Sequence, residues 1–314
     1  MTLKVLYILS SGHSGSTVLG NVLGELDGFF HAGELRLIWR MGLLGESRCG
    51  CGAQIRDCPF WAEVVRETFD GVGGLDASQV VRWQQEALHD RPVSELLRTQ
   101  HEILPVSTPL HRYIDVVTRL YGEIARSARA RVVVDSTKRE DNAALLHVLP
   151  GIDPYIVHLV RDPRAVIFSW SRRERGSKRR GLPTPGALGW LSRNRAAEEI
   201  RAANGPHRSI LVRYEDFVRR PGATLLRIAR MVGERPASLP LVGERTVRLG
   251  TNHTAGGNRM RFTAGEIELR PDQAWLAEQR WVDRFVTTGL TLPSLRRFGY
   301  TVSGRPGKVL GDEG

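Results

Sequence analysis

Two kinds of stretch alternate along the chain. The first is a short, mostly apolar run that ends in small or polar residues: Val5 to Leu9, Val132 to Val134 after Arg131, Tyr155 to Val160 and Ile210 to Val212 after Ser209. Runs of that length are strands buried on both faces, as in a parallel sheet. The second repeats apolar residues every three or four positions. Examples are Val18, Leu19, Val22, Leu23 and Leu26, and later Ile114, Val117, Tyr121 and Ile124. That spacing puts one apolar face on a helix. Residues 3–10 are the first predicted strand and 15–26 the first helix, with a short second strand at Phe29-Phe30-His31 and a helix through Leu44.

Further helices are expected over 110–128, 142–149, 163–173, 185–203, 222–232 and 271–287. Pro163 suits the first turn of its helix, because its missing N–H would be unpaired there anyway. Residues 61–105 predict short helices and loops, 174–184 a basic linker, and 236–262 irregular chain, with Leu295 to Tyr300 closing the core. Strands alternating with helices predict an α/β fold, a parallel sheet flanked by helices on both faces. The expected layout is one domain over 1–300, a helical and loop insertion at about 45–130, and a flexible tail over 301–314.

Ligands of such sheets bind beyond the carboxyl ends of the strands. Polar residues gather there: Ser11 to Thr17, Asp135 to Lys138, Arg161 to Arg164, and Tyr214 to Asp216. The first group joins a buried strand to a helix through Ser11-Gly12-His13-Ser14-Gly15-Ser16-Thr17. Unpaired N–H groups and the helix dipole make such a turn an anion site. Gly12 and Gly15 allow close backbone approach, and Ser14, Ser16 and Thr17 add hydroxyl donors. The loop is not the nucleoside-triphosphate P-loop, because Ser16 follows Gly15 where that motif requires lysine. Taken alone, it is equally an ordinary strand-to-helix turn.

Charge sharpens the picture. Lys and Arg number 45 against 34 Asp and Glu, a formal net charge of +11, which predicts anionic ligands or surfaces. Arg161 to Arg180 alone hold eight basic and two acidic residues. The composition, 41% hydrophobic and 25% charged, is that of a globular protein with ample core. No apolar run approaches the ~20 residues of a membrane span, so a cytoplasmic location is expected. Three cysteines do not suggest a disulfide framework.

Three blocks resemble the sulfotransferase family that uses 3′-phosphoadenosine-5′-phosphosulfate, whose fold is P-loop-like. Ser11 to Thr17 resembles its 5′-phosphosulfate loop. Val160-Arg161-Asp162-Pro163-Arg164 through Phe168-Ser169-Trp170 is similar to its 3′-phosphate motif, and Arg213-Tyr214-Glu215-Asp216-Phe217 to a third block. Bacterial members are the nearest in type. The resemblance implies that Arg161 and Ser169 hold the 3′-phosphate, a guanidinium fork with an added hydroxyl, and that Tyr214 lies by the nucleotide. The alternatives are a helix cap with a local ion pair for Arg161 and a core tyrosine for Tyr214. Asn258 and Arg261, in the stretch from Asn252 to Arg261, match the late loop that closes over the nucleotide.

His13 stands where relatives carry Lys or Arg against the phosphosulfate; it is either that cation or a base. Glu34, in Ala32-Gly33-Glu34-Leu35, resembles the Gly-Glu of tyrosylprotein and some bacterial sulfotransferases. A carboxylate there would take the acceptor's proton; otherwise it caps the next helix. Asp135-Ser136-Thr137-Lys138 resembles a bacterial block in which Lys138 would steady the sulfuryl group and Ser136 would bond nucleotide or acceptor. The alternative is an N-cap at Ser136 with a solvated lysine.

Cys49, Cys51 and Cys58 also recur in bacterial relatives. They could hold zinc with a fourth ligand from elsewhere, but buried thiols or a regulatory disulfide are the expectation. The implied reaction is transfer to a hydroxyl of a small molecule, glycan or lipid, with no metal required. A phosphotransferase with a degenerate loop is the first alternative, and a basic nucleic-acid-binding protein the second. No nucleic-acid motif accompanies the basic cluster, so no specific nucleic-acid partner is expected.

Overall fold

In this computed structural model, residues 2–70, 76–99, 105–173 and 183–304 are described. The expected basic linker falls largely outside them, as does the tail beyond Gly304. A five-stranded sheet runs in the order β2-β3-β1-β4-β5, with every pair parallel. Its strands are β1 (Leu3–Ser10), β2 (Phe29–Gly33), β3 (Val132–Lys138), β4 (Ile152–Val160) and β5 (Ser209–Arg213).

The two-residue period of a strand explains the layers. Val5, Tyr7 and Leu9 of β1 enter one core, with the helices Pro59–Asp70, Ala77–Leu88 and Pro109–Ala128. Leu6 and Ile8 enter the other, with α1 (Ser16–Gly24) and the helix Pro221–Met231. Both faces of β1 are therefore buried, which is why its sequence is continuously apolar.

β1 is central, paired to β3 on one side and β4 on the other. The chain thus turns in opposite directions from its two flanks, and a crevice opens beyond its carboxyl end. Between β2 and β3 the chain supplies the helices Pro59–Asp70, Ala77–Leu88 and Pro109–Ala128 and the short helix Val93–Leu96. No described helix is long and apolar enough to cross a membrane.

Three local expectations are corrected. The stretch over 236–262 is not wholly irregular: β6 (Thr246–Leu249) lies in it and pairs antiparallel with β7 (Gly265–Glu268). The loop between them is therefore a hairpin loop. The single helix over 271–287 is two, Ala274–Glu278 and Trp281–Arg297, with Gln279 extended between them. The helix through Leu44 is a 3₁₀ turn, Leu35–Leu37, followed by a π-helical turn, Ile38–Leu43, in which Leu44 N–H donates to Trp39 C=O at 3.1 Å.

Candidate active site

The β1–α1 loop is built to approach something closely. Gly15 caps α1 in the left-handed region, at φ 87°, with no side-chain cap. A Cβ there would lie 2.4 Å from the Tyr214 ring, so only glycine fits. The first intrahelical bond is Leu19 N–H to Gly15 C=O, 3.1 Å, and the preceding N–H groups of the first turn face the crevice without helical partners. The hydroxyls of Ser10, Ser11 and Ser14 are buried without a partner among the described residues. Buried polar groups of that kind are rare unless a ligand or water completes them.

His13 also has positive φ, 63°, as does Lys138, 72°. Such backbone is uncommon outside glycine and clusters at functional sites. The Nδ1 atom of His13 lies 3.0 Å from Ser169 Oγ. Arg161, at the end of β4, donates through Nη1 to the His13 carbonyl at 2.8 Å and through Nη2 to Asp272 at 3.0 Å. Its guanidinium lies 4.7 Å from the centre of the Tyr214 ring, and its Nε is buried without a partner. Three strand ends, those of β1, β4 and β5, thus converge on one corner.

At the other side of the loop, Glu34 follows β2 and Lys138 ends β3. Their side chains form an ion pair, with the Lys138 ammonium on Glu34 Oε1, and both are mostly buried. Beneath them lies a polar chain. His31 is bonded to Asn21 at 3.0 Å and to Ser136 at 2.9 Å. Burial, with Lys138 nearby, lowers the pKa of His31 to about 3, so the ring is neutral. Asp135 accepts from Tyr121 at 2.6 Å and from Thr137 N–H at 2.7 Å. Burial, with a smaller contribution from Glu34, raises its pKa to about 6.

Two cavities meet at this wall. The larger, about 690 Å³, is lined by Gly15, Ser16, Thr17 and Val18 on one side and by Gly257 to Arg261 of the hairpin loop on the other. The smaller, about 290 Å³, is lined by Arg36, Leu37, Thr137, Arg139, Trp170 and Arg193. Gly12, His13, Glu34 and Lys138 line both. The hairpin loop is stitched in place: Asn258 N–H reaches Thr17 Oγ1 at 3.4 Å, and Arg261 donates to the Gly257 carbonyl.

Most residues singled out from sequence meet here. Gly12, His13, Gly15, Ser16, Thr17, Glu34, Lys138, Asn258 and Arg261 line the large cavity, and Arg161, Ser169 and Tyr214 sit against its loop. Ser14 points into the protein, with 0% exposure. Ser136 departs from expectation: it is neither an N-cap nor on the cavity wall, but 1% exposed within β3 with its hydroxyl at His31. Thr137 and Lys138, one after the other, line the wall above it because regular alternation ends here: Lys138 has φ 72° and the register with β1 shifts between Tyr7 and Leu9.

Sequence reasoning missed Asp272, which carries no local signal, and gave no role to Trp170 or to Arg193 individually, which packing brings to the smaller cavity. It also left the three cysteines without a fourth partner. The structure puts His253 among them.

A family model for the sulfotransferase family matches residues 6–236, and the chain belongs to that family. Carbohydrate sulfotransferase 4 of Mus musculus is 25% identical over 261 residues, covering 72% of this chain and 64% of that protein. The chain thus matches less than two thirds of that relative's length. Among solved structures, the sulfotransferase domain from the curacin biosynthetic pathway superposes with a TM-score of 0.53 at 17% identity, covering 95% of this chain and 98% of that one. Sulfotransferase STF9 from Mycobacterium avium gives 0.48 at 15% identity, covering 97% and 79%. The first of these likenesses carries the fold: a parallel sheet flanked by helices.

Proposed function

We propose that the chain moves the sulfuryl group of 3′-phosphoadenosine-5′-phosphosulfate to a hydroxyl of a glycan, lipid or small-molecule acceptor. The observation that carries this reading is the shared wall. One cavity runs along the uncapped terminus of α1, the other along Arg36, Arg139, Trp170 and Arg193, and His13, Glu34 and Lys138 line both. In-line transfer needs donor and acceptor to meet at one point from opposite sides.

The residues present suit the donor. The uncapped terminus of α1 and the Ser16 and Thr17 hydroxyls would hold the phosphosulfate. Arg161 and Ser169 would hold the 3′-phosphate, a role supported by the unpartnered Arg161 Nε and by a fork now shared with Asp272. Tyr214 packs beside them, and Asn258 and Arg261 close the far side. When bound, the donor supplies the sulfuryl group and departs as adenosine 3′,5′-bisphosphate.

The chain's own work is proton transfer and charge stabilisation. Glu34 accepts the acceptor's hydroxyl proton. Lys138, now paired with Glu34, moves to the sulfuryl oxygens, and His13 with the helix terminus steadies charge on the departing oxygen. A metal is not assigned a part in this transfer. The guanidinium groups of Arg36, Arg139 and Arg193 around the smaller cavity favour an acceptor rich in oxygen, and the mouse relative's name is consistent with a glycan.

Transfer of labelled sulfur from the donor to a panel of hydroxyl compounds tests the reading. Glu34→Gln should lower kcat by about 100-fold or more while leaving adenosine 3′,5′-bisphosphate affinity within about threefold. Protection of the fold by Mg²⁺-ATP but not by the bisphosphate would favour the phosphotransferase alternative and reject this one.

A further inference from the structure

Outside the crevice, one cluster of side chains has no part in the transfer just described. Cys49, Cys51, Cys58 and His253 place four ligand atoms within 4.8 Å of one another. Cys51 and Cys58 sulfurs are 3.7 Å apart, Cys49 Sγ lies 3.7 Å from His253 Nδ1, and Cys58 Sγ lies 3.2 Å from the same nitrogen. A tetrahedral zinc ion, with bonds of about 2.3 Å to sulfur and about 2.0 Å to nitrogen, spaces sulfur pairs about 3.8 Å and sulfur–nitrogen pairs about 3.5 Å. The three separations fall close to those edges.

We propose that Cys49, Cys51, Cys58 and His253 form a closed Cys₃His zinc site that ties the 47–58 segment to the β6–β7 hairpin loop. Three thiolates and an imidazole are a soft donor set, suited to zinc rather than to magnesium or calcium. Four protein ligands leave no open position, so the ion is structural and not a Lewis acid for the transfer.

The surroundings are those of a built site. Cys49 and Cys58 are 0% exposed. Gly52 N–H turns back onto the Cys49 carbonyl at 2.9 Å, and Cys49 N–H donates to Ala53 at 2.8 Å, which folds the Cys49–Cys51 pair into a tight turn. Gly50, inside that turn, faces the hairpin loop so closely that a Cβ would lie 1.8 Å from Asn252 Oδ1. His253 is oriented from two sides: its ring stacks on Phe60 at 5.3 Å, and Trp61 Nε1 donates to its carbonyl at 2.7 Å. Fixing a ligand's orientation in this way is the usual part of the outer shell. Binding would release the thiol protons to solvent, leaving the cation bonded to thiolates.

The consequence reaches the crevice. Four residues after His253, Gly257 begins the wall of the larger cavity, and Asn258 and Arg261 follow. Pinning His253 thus fixes one anchor of the wall opposite α1. This consequence rests on the proposed donor site; the metal site itself does not.

Elemental analysis of chain purified without chelator should find about one zinc per chain. Cobalt(II) in its place should give the visible bands of a tetrahedral ion with thiolate-to-cobalt charge transfer. Outer-shell changes alone weaken zinc sites about 10-fold to 100-fold, so Cys51→Ser and His253→Ala should each weaken binding by at least about tenfold. The wild-type cobalt spectrum decides the matter even if a variant does not fold. A chain without metal whose three thiols all titrate, or one with a Cys51–Cys58 disulfide, would overturn the site. If zinc is present but its removal leaves adenosine 3′,5′-bisphosphate affinity unchanged, the anchoring role falls. If the metallated wild type binds no bisphosphate, the donor reading falls and the metal site stands.

Discussion

Replacing Arg161 separates support of the loop from recognition of the ligand. The side chain does two things: Nη1 holds the His13 carbonyl at 2.8 Å, and Nη2 holds Asp272 at 3.0 Å. In the proposed complex the second interaction is exchanged for the 3′-phosphate. Arg161→Ala therefore removes one charged hydrogen-bonding partner from the ligand and one donor from the loop. A hydrogen bond to a charged group contributes about 2 kcal/mol, which raises the Kd for adenosine 3′,5′-bisphosphate by about 30-fold beyond the cost of the lost loop support. Adenosine 5′-phosphate lacks the 3′-phosphate and feels only the lost support of the loop. Its Kd should rise by about fivefold, taking the effect of losing the bond to the His13 carbonyl at about 1 kcal/mol.

Calorimetric titration of both ligands into both proteins measures the difference directly. Equal losses for the two ligands would refute the phosphate role and leave Arg161 as a prop for the loop. Asp272→Asn supplies the opposite sign. Asp272 is 42% exposed, so its ion pair with Arg161 is weak, at most about 1 kcal/mol. Relieving that competition should tighten the bisphosphate by up to about fivefold and leave adenosine 5′-phosphate unaffected.

Two further outcomes are expected. Gly15→Ala puts a Cβ 2.4 Å from the Tyr214 ring at a φ of 87°, so thermal unfolding should show a loss of about 1–3 kcal/mol, together with weakened nucleotide binding; an unchanged Tm would contradict the packing described. The fold should also lose stability as pH falls from 6.5 toward 4. His31 and His158, lowered by burial to about 3 and about 4, stay neutral in the native chain while the unfolded chain takes up their protons. Asp135, raised to about 6, and Glu215, also raised by burial, oppose this, since their native forms hold a proton more tightly, while His147, lowered by burial, adds to the histidine effect. Denaturant midpoints across that range check the sign, and a midpoint that rises on acidification would refute it.

The β1–α1 loop and the elements around it were legible because their signals are local. Val5 to Leu9 is apolar on both faces, Gly and Ser follow at once, and helical spacing resumes at Val18, so strand, turn and helix appear within a single window. Arg161 and Ser169 were paired by the resemblance, and the helix that carries Ser169 places its hydroxyl against the His13 ring that Arg161 supports through the backbone. β6 and β7 were not, because each holds four residues and β7 contributes only Ile267 as an apolar side chain. Their pairing joins positions some twenty residues apart, beyond any local period. Ser136 was recognised as polar but misdirected, since composition does not say which face of a strand a residue takes. The fourth member of the cysteine cluster lies about two hundred residues from the other three, and only the fold brings it there.

The hairpin loop accounts for how the site is held together. Ala255 N–H donates to the Ala32 carbonyl at 2.8 Å, and Glu34 N–H donates to the Ala255 carbonyl at 2.6 Å. The loop thus extends the sheet by one parallel bridge, Gly33 to Ala255, just where β2 delivers Glu34. On its other side, Ala255 bridges Cys49. A single residue therefore ties the proposed base to the cysteine cluster. Two residues on, Gly257 would place a Cβ 3.5 Å from both Glu34 Oε1 and Thr17 Oγ1. A movement that opened the nucleotide wall would pull on the backbone that positions Glu34. In the proposed reaction the wall of the larger cavity and the proposed base would therefore be placed together, through the backbone of Ala255.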